Sequence, residues 1–261
     1  MTPVRLGAVD YLNARPLVRG LDRQPERFTL RFDVPSECAR LLHTRGLDVG
    51  MIPSIEYLRQ PGYRIVPDVS IASKGPVASV ALYASRPVGQ LRSIAADSSS
   101  RTSAALLRVL CARHFGIDPT FVTRPPDVEV MLAECDAALL IGDAALFLDH
   151  ESKGLDKHDL GTAWTAMTGL PFVWAFWAGR DGVLGQADVR ALQQARDDGV
   201  AAADAVAEEY CDPARAMVGR RYLRENVRYG LDREERSGLE RFYACARELG
   251  LVERSGPVLL Y

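Results

Sequence analysis

The sequence predicts an α/β protein of two lobes with a ligand cleft between them, and three observations carry that expectation. Apolar, strand-like segments alternate with helix-like segments through the first two-thirds of the chain, as in sheets covered by helices on both faces. Two strongly apolar β-rich runs, Val77 to Ala84 and Phe172 to Gly179, are placed to cross between lobes. Hydroxyl-rich helix starts follow strands, above all the run Ser98 to Ser103, SSSRTS. At 261 residues and 48% hydrophobic, the chain can bury the cores of two ordinary lobes.

Taken in order, Val4 to Val9 reads as a strand and Pro16 as the first residue of a helix, since Pro has no N–H to leave unsatisfied there. Phe28 to Val34 is the next strand. Ser36 then caps a helix carrying Ala39, Leu41 and Leu42, and Gly46 ends it before the strand Val49 to Ile52. Ser54 caps a short helix through Leu58, and Ile65 to Ile71 is again β-like. A second series starts at Ile94 to Ala96, followed by a helix from about Arg101 to Phe115 that sets Leu107, Leu110, Cys111 and His114 on one face, with Gly116 as its stop. Phe121 to Thr123, a helix near Val128 to Ala133 and the strand Ala137 to Ile141 continue the pattern, and Gly142 and Asp143 open another helix.

Beyond the second apolar crossing the chain turns to alanine-, arginine- and glutamate-rich helices, Asp188 to Glu209 and Pro213 to Arg228. A last helix opens with Asp232 and Glu235 as a capping box and buries Leu239, Phe242, Tyr243, Ala246 and Leu249. Two crossings without a floppy linker imply a discontinuous first lobe, 1–84 with 177–261, and a second lobe, 85–176.

Several function classes fall away. A formal net charge of -2, with arginines scattered among acids, gives no basic stripe, so no nucleic-acid partner is expected. The longest apolar run, Leu170 to Gly179, is about half the ~18 residues a membrane span needs, so no membrane partner is expected. The chain enters a strand within a few residues of its start, without a charged leader or cleavage site, and reads as cytoplasmic. Five cysteines, odd in number and far apart, read as reduced and mostly buried thiols. The four histidines lack metal-ligand spacing, so no metal site is expected, and His114 reads as core. Trp164, Trp174 and Trp177 read as core or cleft-wall aromatics. No GxSxG, P-loop or GxGxxG motif is present. A homodimer is left open as the oligomeric state.

In open α/β sheets ligands bind beyond the carboxyl ends of strands. Asn13, Ser54, Ser79, Ser99, Ser100, Asp143, Thr168 and Gly169 all sit just past such ends or in the crossings. A helix start with free N–H groups and hydroxyls suits a carboxylate. Arg101 can add a bidentate contact. Each has an ordinary reading too: the serines as caps, Asn13 as a turn residue, Asp143 as an N-cap, Glu56 as a partner of its helix dipole. Ser79 is the hardest to explain that way, because β propensity does not favour Ser between apolar residues.

The segments GAVDYLNARPL, DVGMIPSIEY, SKGPVASVALYAS, ADSSSRTSAALLRVL, DAALLIGDAAL and DLGTAWTAMTGLPFVWAFWAG together closely resemble the chorismate dehydratase family of the futalosine route to menaquinone. They span roughly the first two-thirds of the chain. The resemblance implies a type II periplasmic-binding-protein-like fold and loss of water from chorismate to give 3-[(1-carboxyvinyl)oxy]benzoate, with no cofactor. It also implies a site in which Asn13 and Ser79 face the reacting C3–C4 edge. Ser99, Ser100, Thr102 and Ser103, with Arg101, would then hold one carboxylate, and Thr168 and Gly169 the other. No carboxylate has a spacing that singles it out as the base; a substrate carboxylate or a water remains in its place. The rival reading is a solute-binding protein for a small carboxylate, because the fold alone says only that a ligand is enclosed.

Overall fold

In a computed structural model that describes residues 2–254 and 256–261, two five-stranded mixed sheets face each other. The first begins with β1 (Val4–Val9), β2 (Phe28–Asp33), β3 (Val49–Pro53) and β4 (Tyr63–Ser73). The chain then crosses and builds β5 (Val80–Ala84), β6 (Ser93–Asp97), β7 (Thr120–Arg124), β8 (Ala137–Ile141) and β9 (Asp156–Asp159). It returns as β10 (Phe172–Arg180), giving the orders β2-β1-β3-β10-β4 and β7-β6-β8-β5-β9.

The sheets are not wholly parallel, and the exceptions are informative. β10 runs antiparallel to both β3 and β4, and β5 antiparallel to both β8 and β9. Both reversed strands enter their sheet from across the cleft. A strand arriving there meets the carboxyl ends of the parallel strands and must run against them. The topology also moves the expected boundaries: β5, read as the end of the first lobe, belongs to the second sheet, and β10 joins the first sheet from Phe172 and not from residue 177. Periodicity marks an apolar strand but not the sheet in which it pairs.

The helices are α1 (Pro35–His43), α2 (Thr102–Leu110), α3 (Val128–Glu134), α4 (Gly142–Leu146), α5 (Leu160–Thr168), α6 (Gln186–Ala201), α7 (Ala203–Tyr210), α8 (Ala216–Arg221) and α9 (Arg233–Glu248). Several starts differ from expectation for local reasons. Pro35 takes the first position of α1, so the cap falls on Val34 and not Ser36. Pro16 lies inside a 3-10 segment, Leu12–Val18, where the missing N–H removes no α-helical bond. Asp232 makes no side-chain cap bond at α9. The helix read over 188–209 breaks at Ala202 into α6 and α7.

α2 continues as a π turn, Cys111–Phe115, before Gly116 ends it with φ 66°. That wider turn rotates the last residues out of register, so His114 is exposed although the 3.6-residue period puts it among the apolar positions. α5 and the polar strand β9 carry no strong apolar period and were not anticipated. Asp159 caps α5 by accepting from Thr162 N at 2.9 Å. Gly161 lets that helix lie against the first crossing, since a Cβ there would meet Gly75 O at 2.6 Å.

The core runs between the sheets and the C-terminal helices. Trp164 of α5, Phe172 of β10 and Phe242 of α9 are at most 1% exposed, with ring centroids 5.3 Å apart for Trp164 and Phe172 and 4.8 Å for Phe172 and Phe242. Each such side chain contributes about 1.5–3 kcal/mol through burial, so this cluster fastens α5 and α9 to the returning strand. The apolar face expected for α9 is buried at Leu239, Phe242, Tyr243 and Ala246, with Leu249 partly so. All five cysteines are free thiols, four of them buried.

Candidate active site

The carboxyl ends of the parallel strands in both sheets converge on one cavity, with about 510 Å³ of space not filled by atoms and partly open to solvent. Of the expected residues, Asn13, Ser79, Ser100, Arg101, Thr102 and Ser103 line it. Trp174, Ile71, Val77, Val80 and Ile141 supply an apolar wall.

One wall is a fixed polar chain. Asn13 follows β1, and its Nδ2 donates to the Tyr222 hydroxyl at 3.0 Å. That hydroxyl lies 2.6 Å from Ser79 Oγ. Ser79 and Tyr222 are 1% and 2% exposed. Asn13 Oδ1 is buried without a protein partner. Its backbone is held too, because Tyr229 donates to Asn13 O at 3.0 Å. Burial pushes the Tyr222 phenol well up, against its bonds to Ser79 and Asn13, and keeps it neutral.

Ser79 is presented by a strained residue. Ala78 adopts φ 63°, a left-handed conformation that costs a non-glycine residue roughly 1–2 kcal/mol. The second lobe holds it there: Val77 N and Ala78 N donate to the Asp159 carboxylate at 3.1 and 2.7 Å, and Lys157 Nζ donates to Ala78 O at 3.0 Å. The Asp159 that caps α5 thus also shapes the first crossing.

The opposite wall is the start of α2, whose first-turn N–H groups have no intrahelical acceptors. Ser100 is 7% exposed, and its Oγ is buried with no partner. The Arg101 side chain is 40% exposed and sits 3.8 Å from Glu56 Oε1, a buried carboxylate that also meets Arg59 Nε at 2.8 Å and His43 Nε2 at 3.0 Å. Thr102 Oγ1 accepts from Ile55 N at 3.1 Å, tying this helix start to the first lobe. A neighbouring hollow shares Ser100 and Arg101 and adds Arg59, Arg108 and Asp97.

Five expected residues have other placements. Ser54 lies behind the wall, donating to Val173 O at 2.8 Å, and Ser99 donates to Asp97 Oδ1 at 2.7 Å. Asp143 is spent joining lobes: it accepts from Leu12 N at 3.2 Å and from the Tyr210 hydroxyl. Burial pushes its carboxyl up, opposed by those two bonds. Thr168 donates to Trp164 O at 2.8 Å, and Gly169 closes α5 with φ 73°, so these two finish a helix away from the cavity lining. Their signal was a position just before the second crossing, where they instead end α5.

Tyr11, Gly142 and Tyr222 were not singled out, whereas Trp174, read from the sequence as a core or cleft-wall aromatic, lines the cavity. Tyr11 stacks where the lobes meet: a Cβ on Gly142, at φ 61°, would come within 2.8 Å of its ring. Burial pushes the Tyr11 phenol up to about 12, so it stays a neutral hydroxyl. Tyr11 adjoins Asn13 in the DYLNARP run and was open to notice, whereas Tyr222 sits in an arginine-rich helix with no pattern pointing at the cleft.

Two mixed sheets joined by two crossings, with a cavity between their strand ends, define a two-lobed, periplasmic-binding-protein-like fold. Solved structures share this fold: a protein from Archaeoglobus fulgidus matches with a TM-score of 0.78 at 18% identity, over 96% of this chain and 99% of that one. The alkanesulfonate-binding protein of Xanthomonas axonopodis pv. citri, bound to MOPS, matches with 0.72 at 16%, over 97% and 95%. The chain belongs to the menaquinone biosynthesis family, whose model matches residues 4–248. A chorismate dehydratase of Thermus thermophilus is 33% identical over 271 aligned positions, covering 96% of this chain and 97% of that protein. One from Campylobacter jejuni is 31% identical over 177 positions, 65% of this chain and 64% of that protein.

Proposed function

We propose that this protein is a chorismate dehydratase, a hydro-lyase that removes water from chorismate to give 3-[(1-carboxyvinyl)oxy]benzoate. The observation that carries the reading is one cavity pairing an anion-ready helix start with the Asn13 and Ser79 pair, in a chain 33% identical to a chorismate dehydratase along nearly its whole length. Chorismate has two carboxylates and a cyclohexadiene ring, matching the α2 start, the arginine-lined approach and the apolar wall.

In the reaction, the proton leaves C3, its electron pair becomes the new ring double bond, and the C4–O bond breaks with its pair on oxygen. The abstracted proton and the departing hydroxide together make the water released. Aromatisation provides the driving force, so the reading needs no organic cofactor or metal. The protein's part is to hold the ring in the geometry for this elimination. Ser100, Ser103 and the amides of α2, with Arg101, grip a carboxylate, while Asn13 and Ser79 address the C4 hydroxyl. The described residues lining the cavity include no carboxylate, imidazole or amine. A carboxylate of the substrate itself therefore serves best as the proton acceptor. A cytoplasmic location belongs to the same reading.

The test is mass-resolved chromatography of chorismate incubated with the purified protein, beside an Asn13→Ala variant and a blank without enzyme. A product lighter by one water, formed only with the unaltered protein, supports the dehydratase. Chorismate bound but unchanged returns the protein to the ligand-binding class.

A further inference from the structure

We infer that Tyr222 is a positioning residue that sets Asn13 and Ser79 as a matched acceptor and donor for a departing hydroxyl, an inference that rests on the dehydratase reading. Asn13 Nδ2 has only hydrogens to offer, so the Tyr222 oxygen accepts at 3.0 Å. The Tyr222 O–H then donates across the 2.6 Å contact to Ser79 Oγ. With its oxygen so occupied, Ser79 turns its own hydrogen toward the cavity. Asn13 in turn is left with Oδ1, buried and unpartnered, as an acceptor.

A hydroxyl is both donor and acceptor. The cavity thus offers Asn13 Oδ1 to receive its hydrogen and Ser79 O–H to meet its oxygen as charge grows there. Hydrogen bonds in such a chain polarise one another, and here all point toward the departing oxygen. No proton leaves the chain; its task is direction. Tyr222 is suited to that task because burial keeps its phenol protonated and Tyr229 fixes the Asn13 backbone. It also opens a π turn, Tyr222–Asn226, a local irregularity often found at functional sites. The residue lies in the helical C-terminal part, outside the segments that carried the family resemblance.

The test is Tyr222→Phe in the full chain, which keeps the ring and removes the hydroxyl, assayed with chorismate beside the unaltered protein, Ser79→Ala and the double variant. The expected result is kcat reduced at least about tenfold with KM changed far less, as for a contact made mainly in the transition state. The double variant should lose less than the product of the two single losses, since both substitutions break one chain. A Tyr222→Phe enzyme with unreduced kcat, or losses that multiply, overturns the inference while leaving the dehydratase intact. No turnover by the unaltered protein overturns both.

Discussion

The two walls of the cleft solve opposite problems. On the first-lobe side, Asn13, Ser79 and Tyr222 are joined in one buried hydrogen-bonded chain that leaves Asn13 Oδ1 free. On the second-lobe side, the α2 start keeps Ser100 Oγ unpartnered, and Arg101, 40% exposed, faces Glu56 only at 3.8 Å. One wall is organised during folding, so it spends no reorganisation when the reaction occurs. The other keeps its donors open and completes its bonds when an anion arrives. On the proposed reading, the difference teaches that orientation of the reacting edge and capture of charge are carried by separate parts of this molecule. They should therefore be separable by substitution.

The sharpest test is on the organised wall. Asn13→Ala and Ser79→Ala are each expected to cut kcat by about 10²–10³, the usual loss when a preorganised transition-state contact is removed. Steady-state kinetics on folded variants checks this, and full turnover by either would dissolve the contrast between walls. Gly142→Ala acts where the walls meet. Its Cβ would sit 2.8 Å from the Tyr11 ring on a backbone with φ 61°, so the ring must move. A stability loss of about 1–3 kcal/mol is expected, as for overpacking, with turnover lowered as well; an unchanged melting temperature would show that the lobes do not close on this contact.

Arg101→Ala probes the open wall. KM should rise about tenfold with kcat nearly kept, in line with loss of one charge-assisted contact at a partly exposed site. A fall confined to kcat would move Arg101 into the reacting centre. A subtler effect concerns Asp97, 2% exposed, which holds the Ser99 amide and hydroxyl beneath this wall. Burial raises its pKa, opposed by the Ser99 bonds. The folded chain thus binds this proton more tightly than the unfolded one, whose carboxyl titrates near about 3.9. The stability is fully present below that value and is lost as pH rises through the raised one. Asp97→Asn should gain on the parent protein across that window in melts at stepped pH, and a parallel pair of curves would refute the sign. The smallest effect is expected at Thr168. Thr168→Val removes the bond to Trp164 O and should cost about 1 kcal/mol while leaving kcat/KM unchanged.

Local sequence was enough for the elements whose signals are local. The strands β1, β3 and β8 are apolar runs bounded by polar turns, and the apolar period of α9 matches its buried face. The fold class of two lobes around a cleft followed from the alternation and the two crossings, and the mixed sheets agree. Asn13, Ser79 and the Ser100 to Ser103 run line one cavity: the strand-end rule pointed to Asn13 and Ser100, Ser79 was read as part of the crossing, and Thr102 and Ser103 came with the family resemblance.

Other features depended on partners distant in the chain. The direction of β5 and β10 is set by the side from which each enters its sheet, which no run of residues encodes. Tyr222 reaches Asn13 across 209 positions, and Asp159 shapes the backbone at Ala78 across 81. Asp143, Thr168 and Gly169 stand at the same kind of strand and helix ends as the cavity residues, yet Asp143 is consumed by Leu12 and Tyr210, and the other two by the end of α5. Sequence determined which polar groups stand near strand ends, because periodicity and capping are written in neighbouring residues. Tertiary structure alone decided which stay unpartnered and face a ligand, because a hydrogen bond is claimed by whatever donor or acceptor the fold brings within about 3 Å.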